Sequence, residues 1–599
     1  MTLPHPDLPS TPADTRLDHA QRLLAWAGDG SGHPRAALVV GPRGAGKSRL
    51  LAWLVAQGAD TPAATVHAVG LAAGQTARTL AWQLGRDLGY GPLEPEQLTG
   101  RIAADPRPVR LVVADLHRAG RYPTRSPRNT VPAVLTDLLL PLLALPQVRM
   151  AIESDTAELP GLADDALVLD LSGTPSPRGA DAPPPPGAAD APPPPGADTP
   201  GQDWRLVDPS TRELALDRAT AAGTAPALLA DPGYLVHGPV TAITAALAET
   251  GLRVPRRLRT VWDAAAPALA DPHLPDQARA AVLHTAAVGR DDRLAEYLRP
   301  LVQPGPWTTR WSLPHRPANA VALLGTGTGT GTGQAAGSPV AAVVVADPLG
   351  RLTQLSLADG RVTDRFTPEP PWAPAALATA TPDCLLALDR SGALRPVPAT
   401  ADAAVPLALN RLVLHHNAAS LLADAQRPTA LATAGRYLAI GDQDGTVHLW
   451  RRDDLLAEPT TARLHHSAVT ALACLETPDG RTALVVTGGL DGTLRLWDSD
   501  TGGDLPEPLH RRRAVPTALA LTATPAGLLL AAAWSDRQLR LTLLPSGEQA
   551  ALPTLSPVEA LAVTAEGLLV MAGPGGVQCV ATDFFPVQVS APTGEPSGI

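Results

Sequence analysis

Residues 38–50, Leu-Val-Val-Gly-Pro-Arg-Gly-Ala-Gly-Lys-Ser-Arg-Leu, pass from an apolar run through a glycine-rich turn into a segment fit for a helix. Buried strand, loop and helix in that order contain Gly41-x-x-x-x-Gly46-Lys47-Ser48. Lys47 is the only lysine of the chain, and the rest of its 48 Lys and Arg residues are arginine. The spacing has a physical reading. Glycines let a backbone close around phosphate oxygens, and the N–H groups of the loop and helix start, with the helix dipole, favour the anion. A lysine ammonium is a compact charge on a thin stem that reaches into such a concavity, whereas a planar guanidinium needs a wider slot. A hydroxyl such as that of Ser48 can ligate Mg²⁺. The residues that would cradle the phosphates are Gly41, Pro42, Arg43, Gly44, Ala45, Gly46, Lys47 and Ser48. The competing reading is a glycine turn before an ordinary helix.

Working outward, residues 1–13 are proline-rich and read as an unstructured tail, and residues 14–172 as one α/β core. An amphipathic helix is expected over Asp14–Ala27, the first strand at Ala36–Val40, a helix over Gly46–Gln57, a strand at Thr65–Leu71 and a helix at Thr76–Leu88. Arg110-Leu-Val-Val-Ala-Asp-Leu-His117 is an apolar run ending in an acid, about seventy residues after the glycine loop. A strand of this kind delivers its carboxylate to the carboxyl edge of a parallel sheet, where an acid can orient a Mg²⁺ water shell. Asp115 is therefore the expected catalytic and metal-site acid; the bland alternative is a strand-end turn residue. Val131–Leu143 reads as a helix, and Val148–Ile152 and Ala166–Leu171 as further strands. Glu153-Ser154 stand where a polar sensor of the γ-phosphate would sit. Alternation of strand and helix predicts a parallel sheet covered on both faces.

Residues 173–201 hold Ala-Asp-Ala-Pro-Pro-Pro-Pro-Gly-Ala twice, from 180 and from 189, and read as a polyproline spacer. Residues 202–303 read as helical, with segments at Thr211–Ala222, Val240–Glu249, Arg256–Leu269, Gln277–Ala287 and Arg293–Leu301. Arg256, Arg257 and Arg259 are expected on the surface, or else facing a nucleotide across an interface.

From 304 to 599 the pattern changes to short β runs separated by turns. Gly441-Asp-Gln-Asp-Gly-Thr-Val-His-Leu-Trp450 and Gly488-Gly-Leu-Asp-Gly-Thr-Leu-Arg-Leu-Trp-Asp498 are related, with tryptophans 47 residues apart. Fainter copies place equivalent turns at 349, 391, 444, 491, 536 and 575, spaced by 42, 53, 47, 45 and 39 residues. This is the period of propeller blades. Six blades are countable, a seventh has room in 400–430, and Trp307–Leu313 is placed to close the ring with the last blade. His465, Thr487, Asp491 and Trp497 form an expected structural hydrogen-bonding set, and His510 and Asp536 repeat its 26-residue separation. The loop 325–333, alternating Gly and Thr, reads as a surface excursion of the first blade.

Length and composition bound the function. At 599 residues the chain needs several cores. A net charge of −10 disfavours general nucleic-acid binding, which needs a basic face. Cys384, Cys474 and Cys579 lie apart in apolar runs, as small buried hydrophobes do in a reducing compartment. Met1–Ser10 lacks the pattern of a secretory signal. No stretch reaches the ~20 apolar residues of a membrane span. The expected location is cytoplasmic, with neither membrane nor nucleic acid as partner.

On these residues the 304–599 region resembles WD-repeat β-propellers, most closely over 436–498. Residues 14–303 resemble the STAND class of signal-transduction P-loop NTPases, through Gly41–Ser48, the strand ending in Asp115 and the helical region that follows the sheet. The expected fold class is multidomain: an α/β P-loop NTPase with a parallel sheet, an α-helical middle region and an all-β propeller of six or seven blades. The resemblance implies ATP or ADP with Mg²⁺, a resting ADP form and an active ATP form, a nucleotide-dependent homo-oligomer, and a protein partner recognised by the propeller. Two positions depart from the class. Asp115 has Ala114 before it and Leu116-His117-Arg118 after it, so the usual second acid is missing beside it, and His117 is the substitute within reach. The glycine-x-proline of the helical lid reads Gly223-Thr-Ala-Pro226, one residue longer. Slow ATP turnover is thus less supported than binding. The rival reading is a non-enzymatic scaffold holding a static structural nucleotide.

Overall fold

A computed structural model describes residues 14–28, 34–120, 130–162, 165–172, 202–249, 251–302, 305–325, 340–368, 372–400, 403–422, 427–454, 458–500 and 507–582. The expected tail 1–13, the spacer 173–201 and most of the 325–333 loop lie outside them. The chain divides into two compact units, Met1–His273 and Leu274–Ile599.

In the first unit, β1 (Ala36–Val40), β2 (Ala68–Leu71), β3 (Val109–Ala114), β4 (Val148–Glu153) and β5 (Ala166–Asp170) form a sheet in the order β2-β3-β4-β1-β5. Every adjacent pair is parallel. Each expected strand is present, and β1 is buried along its whole length because both sheet faces are covered. Ala36, Leu38 and Val40 point into one apolar cluster with Leu80, Leu84, Leu98 and Leu138. Ala37 and Val39 point into the other, with Leu23, Trp26, Leu51 and Leu54. The second layer comes from α1 (Asp14–Gly28) and α2 (Lys47–Asp60), the first from α3 (Ala77–Asp87), α4 (Pro95–Ala103) and the leucine-rich helical stretch after Thr130. Burying one leucine or larger side chain of this kind contributes about 1.5–3 kcal/mol. Arginines seal the end of α1: Arg149 donates to the Trp26 carbonyl and Arg110 to that of Ala27, satisfying acceptors a helix terminus leaves open.

Helices Pro209–Ala221, Val240–Ala248 and Arg256–Leu269 continue this unit. Arg78 on α3 joins the last of them, donating to Glu94 at 2.9 Å and to Asp263 at 2.8 Å while lying over the Trp82 ring. Arg86 donates to the Pro267 and Ala270 carbonyls. Arg259 binds the Glu249 and Leu252 carbonyls, and Arg256 and Arg257 are exposed. Arg259 therefore holds the preceding loop together.

In the second unit, six antiparallel sheets follow one another among the described residues. They span 320–366, 374–398, 428–463, 469–511, 516–553 and 560–582, the last completed by β6 (Trp307–Leu313). β6 pairs antiparallel with Gly576–Thr582, so the first strand of the region closes the last blade, as expected. Such closure removes the open sheet edges a linear stack would leave. All six sequence-marked turns fall on the hairpin between the second and third strands of a blade. The long 53-residue interval holds no further sheet among the described residues. It carries a helix, Leu407–Leu422, packed on the second blade.

That blade has three strands among the described residues, and the helix occupies the place of a fourth. Asn417 donates to the Leu394 carbonyl at 2.9 Å and accepts from its N–H at 3.0 Å, as a neighbouring strand would. Along Leu394–Pro398 the residues on that edge are Leu394, Pro396 and Pro398, since Ala393 and Ala399 bond toward the inner strand. Two of the three lack an N–H. Proline at these positions removes the donors that would recruit a further strand.

Helix Asp276–Ala287 packs on β6, with Thr285 hydrogen-bonded to Thr309 at 2.7 Å and accepting from the Trp307 indole at 3.2 Å. Cys384, Cys474 and Cys579 are free and buried, as their apolar runs imply.

Candidate functional site

The loop Gly41–Gly46 leaves the carboxyl end of β1 and enters α2 at Lys47. Gly41, Gly44 and Gly46 have φ of 146°, 84° and 93°. An L side chain at such angles costs about 1–2 kcal/mol, which is why the loop is built on glycine. Gly46 stands at the N-cap of α2 without a side-chain hydrogen bond. Pro42, Arg43 and Gly44 are exposed, and Ala45 turns inward. Lys47 is only 5% exposed, and its ammonium donates to the Gly41 and Pro42 carbonyls at 2.7 and 3.1 Å. The one lysine of the chain thus curls back over its own glycine loop.

Asp115 follows β3 in the left-handed region, φ 53°, a conformation Asp tolerates better than most residues. Arg118 contacts its carboxylate at 3.4 Å and His117 lies at 4.0 Å. β4 runs between β1 and β3, with Glu153 level with Val39 and Ile152 level with Val113. The sheet order therefore sets the end of β4 between the glycine loop and Asp115. Ser48 donates to Glu153 Oε1 at 3.0 Å, while Glu153 Oε2 has no hydrogen-bond partner among the described residues. Glu153 is 2% exposed. Burial raises its pKa above the ordinary carboxylate value, the Ser48 hydrogen bond opposes this, and the charge of Asp115 adds to it.

Sequence reading marked Glu153-Ser154 as one polar pair, and the structure separates them. Ser154 is turned into the local chain, its N–H bonded to the Val39 carbonyl and its hydroxyl accepting from the Thr156 N–H at 3.4 Å. Glu153 alone reaches the loop. Its partner Ser48 lies 105 positions away in sequence, so only the parallel register brings them together.

The propeller polar sets are structural. His465 contacts Asp491 at 3.2 Å and Thr487 at 2.8 Å, with Thr493 bridging, and Trp497 is buried. The fifth blade keeps the spacing but not the pair: His510 turns to Thr542 at 3.2 Å, and Asp536 is taken by Arg512 at 2.7 Å. An arginine two residues beyond the histidine outcompetes it for the carboxylate. The first three blades use a third arrangement that sequence reading missed. Asp347, Asp389 and Asp442 each accept from two backbone N–H groups of the following turn and pair with a basic side chain, Arg351, Arg395 or His448. Its signal was the Asp-x-x-Gly that opens each of these turns.

No group of three or more His, Cys, Asp or Glu side chains among the described residues is placed to hold a metal ion. No helix among them is long and apolar enough to cross a membrane.

Residues 459–498 match the family model for the WD domain, G-beta repeat. These cover the last strand of the third blade and the first three strands of the fourth, where the His465 set lies. No curated protein matches the chain. Among solved structures it is similar to the crystal structure of the computationally designed Ika8 protein, at 17% identity, over 45% of this chain and 98% of that one, with a TM-score of 0.28. A likeness that low adds nothing to the fold. The repeat match and the six-bladed ring together make the C-terminal unit a WD-repeat β-propeller. Such propellers generally mediate protein–protein interaction.

Proposed function

We propose that the chain is a nucleotide-responsive interaction protein. The loop Gly41–Ser48 binds ATP or ADP, Ser48 and Asp115 hold Mg²⁺, and the bound nucleotide governs which protein partner the propeller engages. The observation that carries this reading is the buried ammonium of Lys47, folded onto the carbonyls of a loop whose three glycines take positive φ. The residues present fit the group. The start of α2 suits phosphate oxygens, the ammonium can exchange loop carbonyls for phosphate, and a hydroxyl and carboxylates face the same strand edge. The propeller supplies a broad, rigid recognition surface, and its fold alone names no ligand.

The test is direct nucleotide titration of the full chain by calorimetry with Mg²⁺ present. ATP and ADP bind the wild type, and Lys47→Ala weakens binding at least about 100-fold, the loss of a charge-assisted contact worth roughly 3 kcal/mol. Equal affinity in both proteins refutes the site. Partner capture with ATP against ADP then tests regulation, and light scattering under the same two conditions tests nucleotide-dependent self-association. Phosphate release separates a switch from a scaffold with a static nucleotide, since the scaffold releases none above the Lys47→Ala control.

A further inference from the structure

The chain around Asp115 offers no neighbouring second acid, yet the fold supplies one from another strand. Glu153 ends β4, which lies between the strand leading into the glycine loop and the strand carrying Asp115. One of its oxygens holds the Ser48 hydroxyl at 3.0 Å, and the other is buried without a partner among the described residues. Leaving a buried carboxylate oxygen unpaired is unfavourable. Packing of β4 against β1 and β3 holds it there. The Asp115 backbone N–H and the Lys47 charge also act on this carboxylate, which thus faces both the glycine loop and the acid that follows β3.

We infer that Glu153 is the water-positioning carboxylate of this site, held in place by its hydrogen bond from Ser48. The inference rests on the nucleotide reading above. Ser48 is the shared element. Its hydroxyl can serve Glu153 or a metal, and when it turns to the metal both Glu153 oxygens become free to accept from water. Glu153 then orients one water and takes its proton as that oxygen bonds to the terminal phosphorus. The bond from phosphorus to the bridging oxygen breaks, and its electron pair leaves with the nucleoside diphosphate. His117 is not required for this step; its ring nitrogen lies 4.0 Å from the Asp115 carboxylate.

Glu153→Gln tests the inference, because the amide keeps the shape and can still accept from Ser48 but cannot take a proton. Three quantities are measured on the full chain: ATP affinity, phosphate release, and the identity of the nucleotide recovered after denaturing the loaded protein. The expected result is ATP affinity within about threefold of wild type, phosphate release lowered about 100-fold or more, the scale of a lost general base, and recovery of bound nucleotide as ATP where wild type yields ADP. A Glu153→Asp variant, with its carboxylate withdrawn by one methylene, restores part of the turnover. Glu153→Gln that binds ATP and releases phosphate like wild type overturns the inference while leaving the binding site intact. Wild type that binds ATP but never turns it over also overturns it. Wild type that binds no nucleotide instead sinks the site itself.

Discussion

Backbone conformation at single residues records how the propeller hairpins are built. The fourth position of the turn between second and third strands has positive φ in every blade: Gly350, Gly392, Gly445, Gly492, Arg537 and Gly576. Arg537, at φ 63°, is the one that is not glycine. Left-handed backbone costs a residue with a Cβ about 1–2 kcal/mol. Arg537→Gly is therefore expected to raise stability by about 1 kcal/mol, part of the gain being offset by the freer unfolded chain. Thermal unfolding of the full chain checks it, and a lowered midpoint means that the arginine side chain contributes more than its backbone costs. The same conformation at Asp115 is tolerated for a different reason, since a short polar side chain is among the few that enter this region readily.

Among the elements, helix Leu407–Leu422 is the irregular one, a helix standing where a propeller blade ordinarily has its outer strand. Its link to the sheet is a side chain imitating a backbone: Asn417 answers both the N–H and the carbonyl of Leu394. Asn417→Ala leaves both groups without that partner on a half-covered edge, and the expected loss is about 1–3 kcal/mol. Hydrogen exchange at the Leu394 amide should accelerate in the variant, and protection equal to wild type would show that the clasp does not form in solution. The helix also carries a pH response. Burial, with the charges of His448 and His415, pushes the His416 pKa down to about 4. A folded-state value below the ordinary 6.5 means that the native protein binds fewer protons than the unfolded chain. The stability so conferred is fully present above pH 6.5 and is lost as pH falls toward 4. His284, buried near Arg299, shifts in the same direction. The unfolding midpoint of the propeller should fall through this window, and His416→Gln should flatten the slope.

Over the whole molecule, separate cores serve separate tasks. The sheet clusters around β1 and the blade clusters share no residues, and the two units are compact in themselves. Lys47→Ala is accordingly expected to weaken nucleotide binding by that factor of about 100 or more without changing the far-ultraviolet β signal or the protease resistance of 305–582. Coincident loss of both would show that the propeller depends on the first unit for its stability. The last two helices before the propeller illustrate why unit limits are hard to read from a sequence. Asp276–Ala287 has the periodicity of its helical predecessors, but the Thr285–Thr309 and Trp307 contacts tie it to the propeller strand β6.

Much of this architecture was legible in the residues. Continuous apolar runs alternating with helical segments predicted all five strands of the parallel sheet, because a strand buried on both faces has few sequences open to it. Repeated turn residues predicted six blades and their hairpins, because a tight turn constrains its own few positions. Glycine spacing and a solitary lysine marked the loop. Tertiary structure decided what depends on distance along the chain. It placed Glu153 on Ser48 through sheet order, gave Asp536 to Arg512 through competition between nearby partners, and filled the long interval in the ring with a helix clasped by Asn417. Local pattern is set by the backbone needs of a few neighbours. Pairings between remote side chains follow from packing and register, which no short stretch of sequence encodes.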